Sequence, residues 1–387
     1  RKMKITGYEL IKFEGIAERP IGDANLPSGS DYVGMSILIL DTDEGLQGFA
    51  PLGNDYVGAI FHLIENHDPR GIKGLWKKMT DFVFKGGNEG EKNQAISALD
   101  IALWDLKAKI NEEPLWKTLG ANTNRVKAYA SGIDLCLNDN EISKFYGRMA
   151  NQGIDAGKLK VGLDLESDLK RISIMKDCLS KNNERPHICI DSNEFWSPKQ
   201  AIRYISEIEK EFDITWAEEP ARRWDYSGLK KVSDGIKAAV ATGENLNTIN
   251  DFTPLIRNGA ADIIEVGMNT TGITGALQVA NLAYAYELPV AMMNCPGNIM
   301  AHLAAVLPNH FMMEIVDAGR ELCFNTDQYI EGGFIVMGDS PGLGINIDFE
   351  KLNSIKVDEF NPPPNSMPFP RGEGAGLYPP KPKSKQR

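Results

Sequence analysis

From about residue 126 onward, short apolar runs alternate with stretches in which apolar residues recur every three to four positions. The runs are typical of buried parallel strands, and the stretches between them of helices with one buried face. Helices are expected, for example, over residues 165–179, 198–211 and 275–286. Strands are predicted at residues 126–130, 156–161, 187–191, 214–218, 239–243, 262–267, 289–293 and 311–315.

Eight strands alternating with helices at a repeat of about 25 residues predict an α/β fold, a parallel (β/α) barrel of the TIM type. The barrel is expected to be modified in its last unit, because no clear helical pattern follows residues 311–315. The first 120 residues differ. They carry strand patterns at 4–14, 34–43 and 46–51 and helical patterns at 57–66, 72–84 and 93–110, which predict a separate mixed unit.

Composition narrows the class of protein. Apolar residues make up 42% and charged residues 25%, which excludes wholesale disorder, and the longest apolar runs are too short to span a membrane. The net charge of -11 disfavours binding to nucleic acid or to anionic membranes. Five widely spaced cysteines without a Cys-x-x-Cys pair, in a sequence without a recognisable leader, favour a reduced cytoplasmic compartment.

Carboxylates end three successive predicted strands, at Asp191, Glu218 and Glu244. Their separations of 27 and 26 residues are one βα unit each, so we expect all three at the same rim of the barrel. A single acid at such a position is more typical of a helix cap or a surface charge. Three hard oxygen ligands together indicate a Mg²⁺ site.

Lys158 and Lys160 lie two residues apart on the second predicted strand and therefore point the same way. Burial and mutual repulsion would lower a lysine pKa, which would let one of them act as a base. The alternative is that both lysines are solvated charges at a strand end, and the three carboxylates predicted at the same rim make this alternative less favoured.

With these residues, the chain resembles the enolase superfamily, and most closely its mandelate racemase and muconate lactonizing enzyme branch. The resemblance runs over nearly the whole chain, and its specificity lies in the order and spacing of short segments. These segments are AISALDIALWDLKAK, GKLKVG, IDSNEFW, TWAEEP, ATGEN, GITGALQVANLAYAYELPV and GDSPGLGINID.

The resemblance implies an α+β capping domain over residues 1–122 and a barrel over residues 123–320. Residues 321–387 would return to the capping domain and end in a Pro-rich tail with a basic end. It implies a homo-oligomer, and Mg²⁺ held by Asp191, Glu218 and Glu244.

The resemblance also assigns catalytic roles. Lys160 would remove the proton α to the carboxylate of a small substrate, while Lys158 tunes its pKa and contacts that carboxylate. Glu314, at the end of strand eight, would hydrogen-bond the substrate carboxylate while protonated, and Asn193 would contact the substrate if the strand stays extended beyond Asp191.

The chain departs from the family at strands six and seven, where many members carry an Asp–His pair or a lysine. Here these ends offer Val266, Gly267, Met293 and Asn294. Asn294 would hydrogen-bond a substrate hydroxyl or, alternatively, cap the turn that follows it. A second acid or base could still come from the loop expected at 16–33, with Asp23, Asp31 and Tyr32, or from Asp55 and Tyr56. His302 is more typical of packing.

A site equipped on one face disfavours racemisation, which needs groups on both sides of the α-carbon. A syn elimination needs only one, because Lys160 could take the proton and return it to a leaving hydroxyl. The sequence therefore predicts a Mg²⁺-dependent acid-sugar dehydratase. A cycloisomerase, a racemase or epimerase, and a non-catalytic carboxylate-binding protein are the alternatives.

Overall fold

An antiparallel sheet forms the first part of the chain in the computed structural model, which describes residues 2–364. Its first three strands are β1 (Ile5–Ile21), β2 (Ser30–Thr42) and β3 (Gln47–Ala50). Helices α1 (Val57–Ile60), α2 (Ile72–Val83), α3 (Glu91–Ile110) and α4 (Leu115–Thr118) follow. α3 buries most of its residues, because one side packs on the sheet and another on the barrel.

The connection between β1 and β2 is shorter than the loop predicted at residues 16–33. β1 and β2 remain paired as far as Ile16 opposite Tyr32, with Ile21 opposite Ser30 beyond an irregularity, which leaves residues 22–29 as the connection. Alternating half-buried side chains extend both strands past their apolar segments. The pattern at 57–66 is likewise shorter than predicted, since α1 passes into a 3₁₀ turn at Phe61–Leu63.

Eight parallel strands close into a barrel, with β11 paired to β4 as well as to β10. This confirms the TIM-type fold predicted from the alternation. The strands are β4 (Arg125–Ser131), β5 (Ala156–Lys160), β6 (His187–Asp191), β7 (Trp216–Glu218), β8 (Ala239–Thr242), β9 (Ile263–Val266), β10 (Val290–Met292) and β11 (His310–Ile315).

Helices surround the barrel and begin at recognisable caps. The side chains of Asn138, Asp164 and Ser197 accept hydrogen bonds from the first-turn amides of α5, α6 and α7. The outer helices are α5 (Asp139–Asn151), α6 (Leu165–Leu179), α7 (Pro198–Ile208), α8 (Tyr226–Gly235), α9 (Ile249–Arg257), α10 (Gly272–Ala285) and α11 (Ala301–Ala304).

Within the described residues no helix follows β11 directly. The chain instead makes β12 (Phe324–Thr326), β13 (Tyr329–Glu331), β14 (Phe334–Val336), β15 (Ile345–Ile347), α12 (Phe349–Ile355) and β16 (Lys356–Val357). β14 pairs with the N-terminal end of β4, and β16 pairs antiparallel with β1. The domain boundaries remain predictions, and the Pro-rich tail from residue 365 lies outside the described residues.

The core lies in three groups of apolar side chains. A large one fills the space between the barrel and its helices and continues between the N-terminal sheet and α1–α3, a small one lies inside the barrel, and a third lies on the other face of the N-terminal sheet. All five cysteines lie among the described residues and are unpaired. In the described part of the chain, no helix has the length and apolar character needed to cross a bilayer.

Candidate active site

The barrel interior has an apolar layer, and a polar layer lies two residues further along several strands. Tyr129, Ala156, Cys189, Trp216, Ile263 and Met312 belong to the apolar layer. Because side chains alternate along a strand, the residues two positions later also face inward. They are Ser131, Lys158, Asp191, Glu218, Glu265 and Glu314.

Both lysines are buried among these acids. Lys158 Nζ lies 2.7 Å from Glu218 Oε2 and 2.6 Å from Glu314 Oε2. Lys160 Nζ lies 2.7 Å from Asp191 Oδ2 and donates to Asn193 Oδ1 at 2.8 Å. The predicted pair of lysines therefore lies next to the predicted carboxylates.

The predicted lowering of the lysine pKa values is wrong for this arrangement. Burial lowers the pKa of both groups, but the adjacent carboxylates outweigh it. Glu218 and Glu314 raise the pKa of Lys158 well above its ordinary value, and Asp191 raises that of Lys160. Both lysines are ammonium ions while these contacts hold.

Asp191, Glu218 and Glu244 come together as expected, each with one oxygen within 4.8 Å of those of the other two. Glu244 Oε1 is buried and has no hydrogen-bond partner among the described residues. Burial, and next the charge of Asp191, raise the pKa of Glu218 well above its ordinary value. Three crowded carboxylates with a spare buried oxygen fit a hard divalent cation, which would offset their repulsion.

Glu314 lies where β11 ends and is almost fully buried. It accepts hydrogen bonds from Ser131 Oγ at 2.7 Å and from Asn294 Nδ2 at 2.5 Å. Burial raises the pKa of Glu314, but the charges of Lys158 and Lys160 outweigh it and hold that pKa well below its usual range. The protonated state expected for Glu314 is therefore not favoured in this arrangement.

Neither reading of Asn294 describes the hydrogen bonds that it makes here. Its side chain and its backbone amide both donate to Glu314 Oε1, and its Oδ1 accepts from Arg320 Nη2 at 2.9 Å. The guanidinium fixes the orientation of the amide, so that the NH₂ group must face Glu314. Sequence reasoning missed Arg320, because it lies in the irregular chain after β11.

Asn193 lies in the site, but in contrast to the expectation the strand does not stay extended as far as this residue. Its φ of +50° is left-handed, so the strand has ended and the alternation rule does not apply. Its amide donates to Asp191 Oδ1 at 2.9 Å, which turns its side chain towards Lys160. From the loop at 22–29, Asn25 Nδ2 donates to the Asn193 carbonyl at 2.9 Å.

Glu265 on β9 was also missed by sequence reasoning. It is fully buried, neither carboxylate oxygen has a donor among the described residues, and burial followed by the charge of Glu218 raises its pKa well above the ordinary value. Two-residue periodicity from the apolar Ile263 is the signal that could have found it. Gly267 follows β9 and Met293 follows β10, without an acid or base of their own at those ends.

Most of the alternative acid or base candidates are engaged elsewhere. Tyr32 donates its hydroxyl to Glu14, Asp55 pairs with Lys12 and is 78% exposed, and His302 is buried with its Nδ1 accepting from the Trp116 amide. Asp31 is exposed. Asp23 is the exception, because its charge contributes to the raised pKa of Lys160, although its Oδ1 also accepts from two amides of its own loop.

A buried polar network holds the backbone of both lysines from outside the strand. Asp134 Oδ1 accepts from the Lys160 amide at 2.9 Å, and Arg171 donates to the Lys160 carbonyl at 2.8 Å. The Tyr146 hydroxyl lies 2.6 Å from both Asp134 Oδ2 and the Lys158 carbonyl oxygen. These groups fix the main chain that carries the two amines.

Models of known protein families match both the N-terminal part of the chain and the barrel. A family model described as mandelate racemase / muconate lactonizing enzyme, N-terminal domain, matches residues 34–120, and one described as enolase C-terminal domain-like matches residues 141–352.

Individual relatives catalyse different reactions. The 3,6-anhydro-alpha-L-galactonate cycloisomerase of Streptomyces coelicolor is 31% identical, over 84% of this chain and 92% of the relative. The L-talarate/galactarate dehydratase of Salmonella typhimurium is 28% identical, over 85% of each. A crystal structure of a racemase from Streptomyces coelicolor with bound magnesium matches with a TM-score of 0.83 and 27% identity, over 91% of this chain and 100% of that one.

Proposed function

The chain belongs to the mandelate racemase and muconate lactonizing enzyme branch of the enolase superfamily, and from this premise we propose that it dehydrates an acid sugar. The product would be a 2-keto-3-deoxy acid. The observation that carries the proposal is the one-sided site, in which Lys160 Nζ lies against Asp191 while Gly267 and Met293 follow the strands on the opposite side of the barrel. The inward-facing acid of that side, Glu265, belongs to the layer of Lys158 and Glu218, one layer below Lys160.

Asp191, Glu218 and Glu244 are the residues that would hold Mg²⁺. When bound, the ion supplies positive charge that stabilises the negative charge developing on a substrate carboxylate during removal of the α-proton. Magnesium is also bound in the racemase structure from Streptomyces coelicolor.

Lys158 is placed to receive the substrate carboxylate. Its Nζ lies within 3 Å of both Glu218 and Glu314, and Asn294 and Ser131 hold Glu314 beside it. These contacts let the ammonium act as a fixed positive charge at the carboxylate. The same contacts make Lys158 a poor base, because they keep its proton on.

Lys160 is the proposed base. It can accept a proton once the charge of Asp191 no longer stabilises its ammonium form. Asp191 is one of the three proposed metal ligands, and a cation held there would offset that charge. The α-proton then passes from carbon to Nζ. Lys160 returns it to the β-hydroxyl on the same face as the C–O bond breaks, water leaves, and the enol becomes the ketone.

The test is product analysis with a library of aldonic, aldaric and uronic acids and Mg²⁺. A 2-keto acid whose mass is that of the substrate minus water supports the proposal. If every accepted acid instead gives an isomer of unchanged mass, the dehydratase assignment is wrong.

A cycloisomerase is the second candidate, and the 31% identity to the 3,6-anhydro-alpha-L-galactonate cycloisomerase favours it. The same lysine and cation would serve, since removal of an α-proton also begins a ring opening by elimination. Incubation with an anhydro-sugar acid and with lactones distinguishes the two, because only the dehydratase loses water.

A further inference from the structure

A cavity of about 530 Å³ lies beside the barrel where the chain continues past β11 without a helix. Its walls come from the turn after β10, the end of α5 and the chain from Ile315 to Ile335. Lys158, Lys160 and the three carboxylates of the metal triad are not among its lining residues. Asn294, which donates to Glu314, is a residue that the cavity shares with the catalytic rim.

Arg320 provides an available positive charge in this cavity. Its guanidinium is half-buried and donates to Asn294 Oδ1, and no carboxylate of the described residues lies within ion-pair distance of it. The acidic groups of the wall have partners of their own. Asp317 pairs with Arg148, and Glu321 accepts from the Gly297 amide.

The remaining lining residues are apolar side chains and uncharged polar groups, the latter including Asn298, Asn325 and Thr326. Gln152 Oε1 and both amide atoms of Gln328 are buried and have no hydrogen-bond partner in the described chain. Buried polar atoms are nearly always satisfied in folded proteins, because an unmet hydrogen bond costs about 1–3 kcal/mol. Their presence in the wall indicates that a polar molecule completes the site.

We propose that this cavity binds a small hydroxylated carboxylate, with Arg320 pairing with the carboxylate and Gln152 and Gln328 binding hydroxyl groups. A guanidinium matches the two oxygens of a carboxylate, and an amide can both donate to and accept from a hydroxyl. The site is linked to the catalytic rim, since Arg320 holds Asn294 and Asn294 holds Glu314. It requires neither metal nor turnover and so does not depend on the proposed function.

Calorimetric titration of tartrate into the full-length, EDTA-treated protein tests the proposal. Tartrate should bind the unmodified protein, and Arg320→Gln should weaken binding at least tenfold. Arg257→Gln is the control, because it removes an exposed arginine on α9 that does not line this cavity, and it should leave the affinity unchanged.

A second variant separates binding from folding. Gln328→Leu removes the unpartnered amide, so it should weaken tartrate binding several-fold while the melting temperature stays the same or rises. Absence of tartrate binding, equal affinity in Arg320→Gln, or binding of inorganic sulfate as tight as that of tartrate would each overturn the proposal.

Discussion

Lys158 and Lys160 are buried together with Asp191, Glu218 and Glu314, and these carboxylates determine the protonation state of both lysines. A lysine that serves as a base must be neutral, yet an ammonium held 2.7 Å from a carboxylate keeps its proton. The two amines therefore have different tasks. Lys158 lies against Glu218 and Glu314, and it stays charged because Glu314 is not a proposed metal ligand. Among the neighbouring charges, that of Lys160 depends chiefly on Asp191, one of the three proposed metal ligands.

Tyr146 is predicted to matter for catalysis although it does not reach the substrate. Tyr146→Phe removes the hydroxyl that lies against both Asp134 and the Lys158 carbonyl, so the strand end carrying the amines becomes less well fixed. We expect kcat to fall about tenfold, a loss of about 1.4 kcal/mol, with KM nearly unchanged. Tyr284→Phe, an exposed tyrosine on α10, should leave kcat unaltered, and equal kcat values in the two variants would contradict the role.

His302 is predicted to make the fold less stable in acid. Burial lowers its pKa to about 3, so the folded state keeps the ring neutral, while the unfolded chain takes up a proton below about pH 6.5. The stabilisation is complete above that pH and is lost as the pH falls towards 3. From pH 7 to pH 5 the free energy of unfolding should drop by about 2 kcal/mol through this residue alone.

Urea denaturation at the two pH values measures the effect. His302→Gln should show a pH-dependent loss that is smaller by about that amount, whereas His62→Gln, an exposed histidine, should behave like the unmodified protein. Identical pH dependence in all three proteins would show that His302 does not contribute.

At the level of elements, the barrel strands could be predicted because each is a short apolar run whose neighbours are amphipathic. The strand at 187–191 has the bounds of β6, while β7 loses two residues at its start relative to the prediction. The N-terminal strands were harder to delimit. Residues 15–21 and 30–33 mix polar and apolar side chains on an edge that is half exposed, so the hydrophobic signal fades before the pairing does.

Arg19 on β1 is predicted to hold the N-terminal sheet on the barrel. It donates to the Gly132 carbonyl at 2.5 Å and to the Val316 carbonyl at 2.7 Å, which follow the first and last barrel strands. Arg19→Gln should raise KM several-fold and speed amide hydrogen exchange in residues 22–29, because the loop that touches Asn193 loses its support. Lys12→Gln is the control, because Lys12 lies on the same strand and its partner Asp55 is 78% exposed, and it should change neither quantity.

At the scale of the whole molecule, the residues of the site that could be predicted are those that end strands or belong to recognisable segments. Asp191, Glu218, Glu244 and the lysine pair fall in this group. Arg320 and Asp134 could not be found in this way, since their positions depend on how irregular chain folds back over the rim.

Metal binding should stabilise the entire fold. A ligand that binds only the folded state at a hundred times its Kd adds about 2.7 kcal/mol, which for a chain of this size raises the Tm by several degrees. Saturating Mg²⁺ should have this effect on the unmodified protein and little effect on Glu244→Gln. Glu194→Gln changes a buried rim carboxylate outside the triad and should keep the shift, so its loss there would contradict the assignment of the ligands.

The transfer of the α-proton to Lys160 is the central claim, and exchange with solvent tests it most directly. An accepted acid sugar is incubated in deuterated water with Mg²⁺ and the unmodified protein, Lys160→Ala or Lys127→Ala, the last being a partly buried lysine at the opposite end of the barrel. We predict that Lys160→Ala loses about 10³-fold in both keto-acid formation and deuterium incorporation while keeping its Mg²⁺-induced stabilisation, and that Lys127→Ala retains all three. Exchange at an undiminished rate in Lys160→Ala would contradict the account.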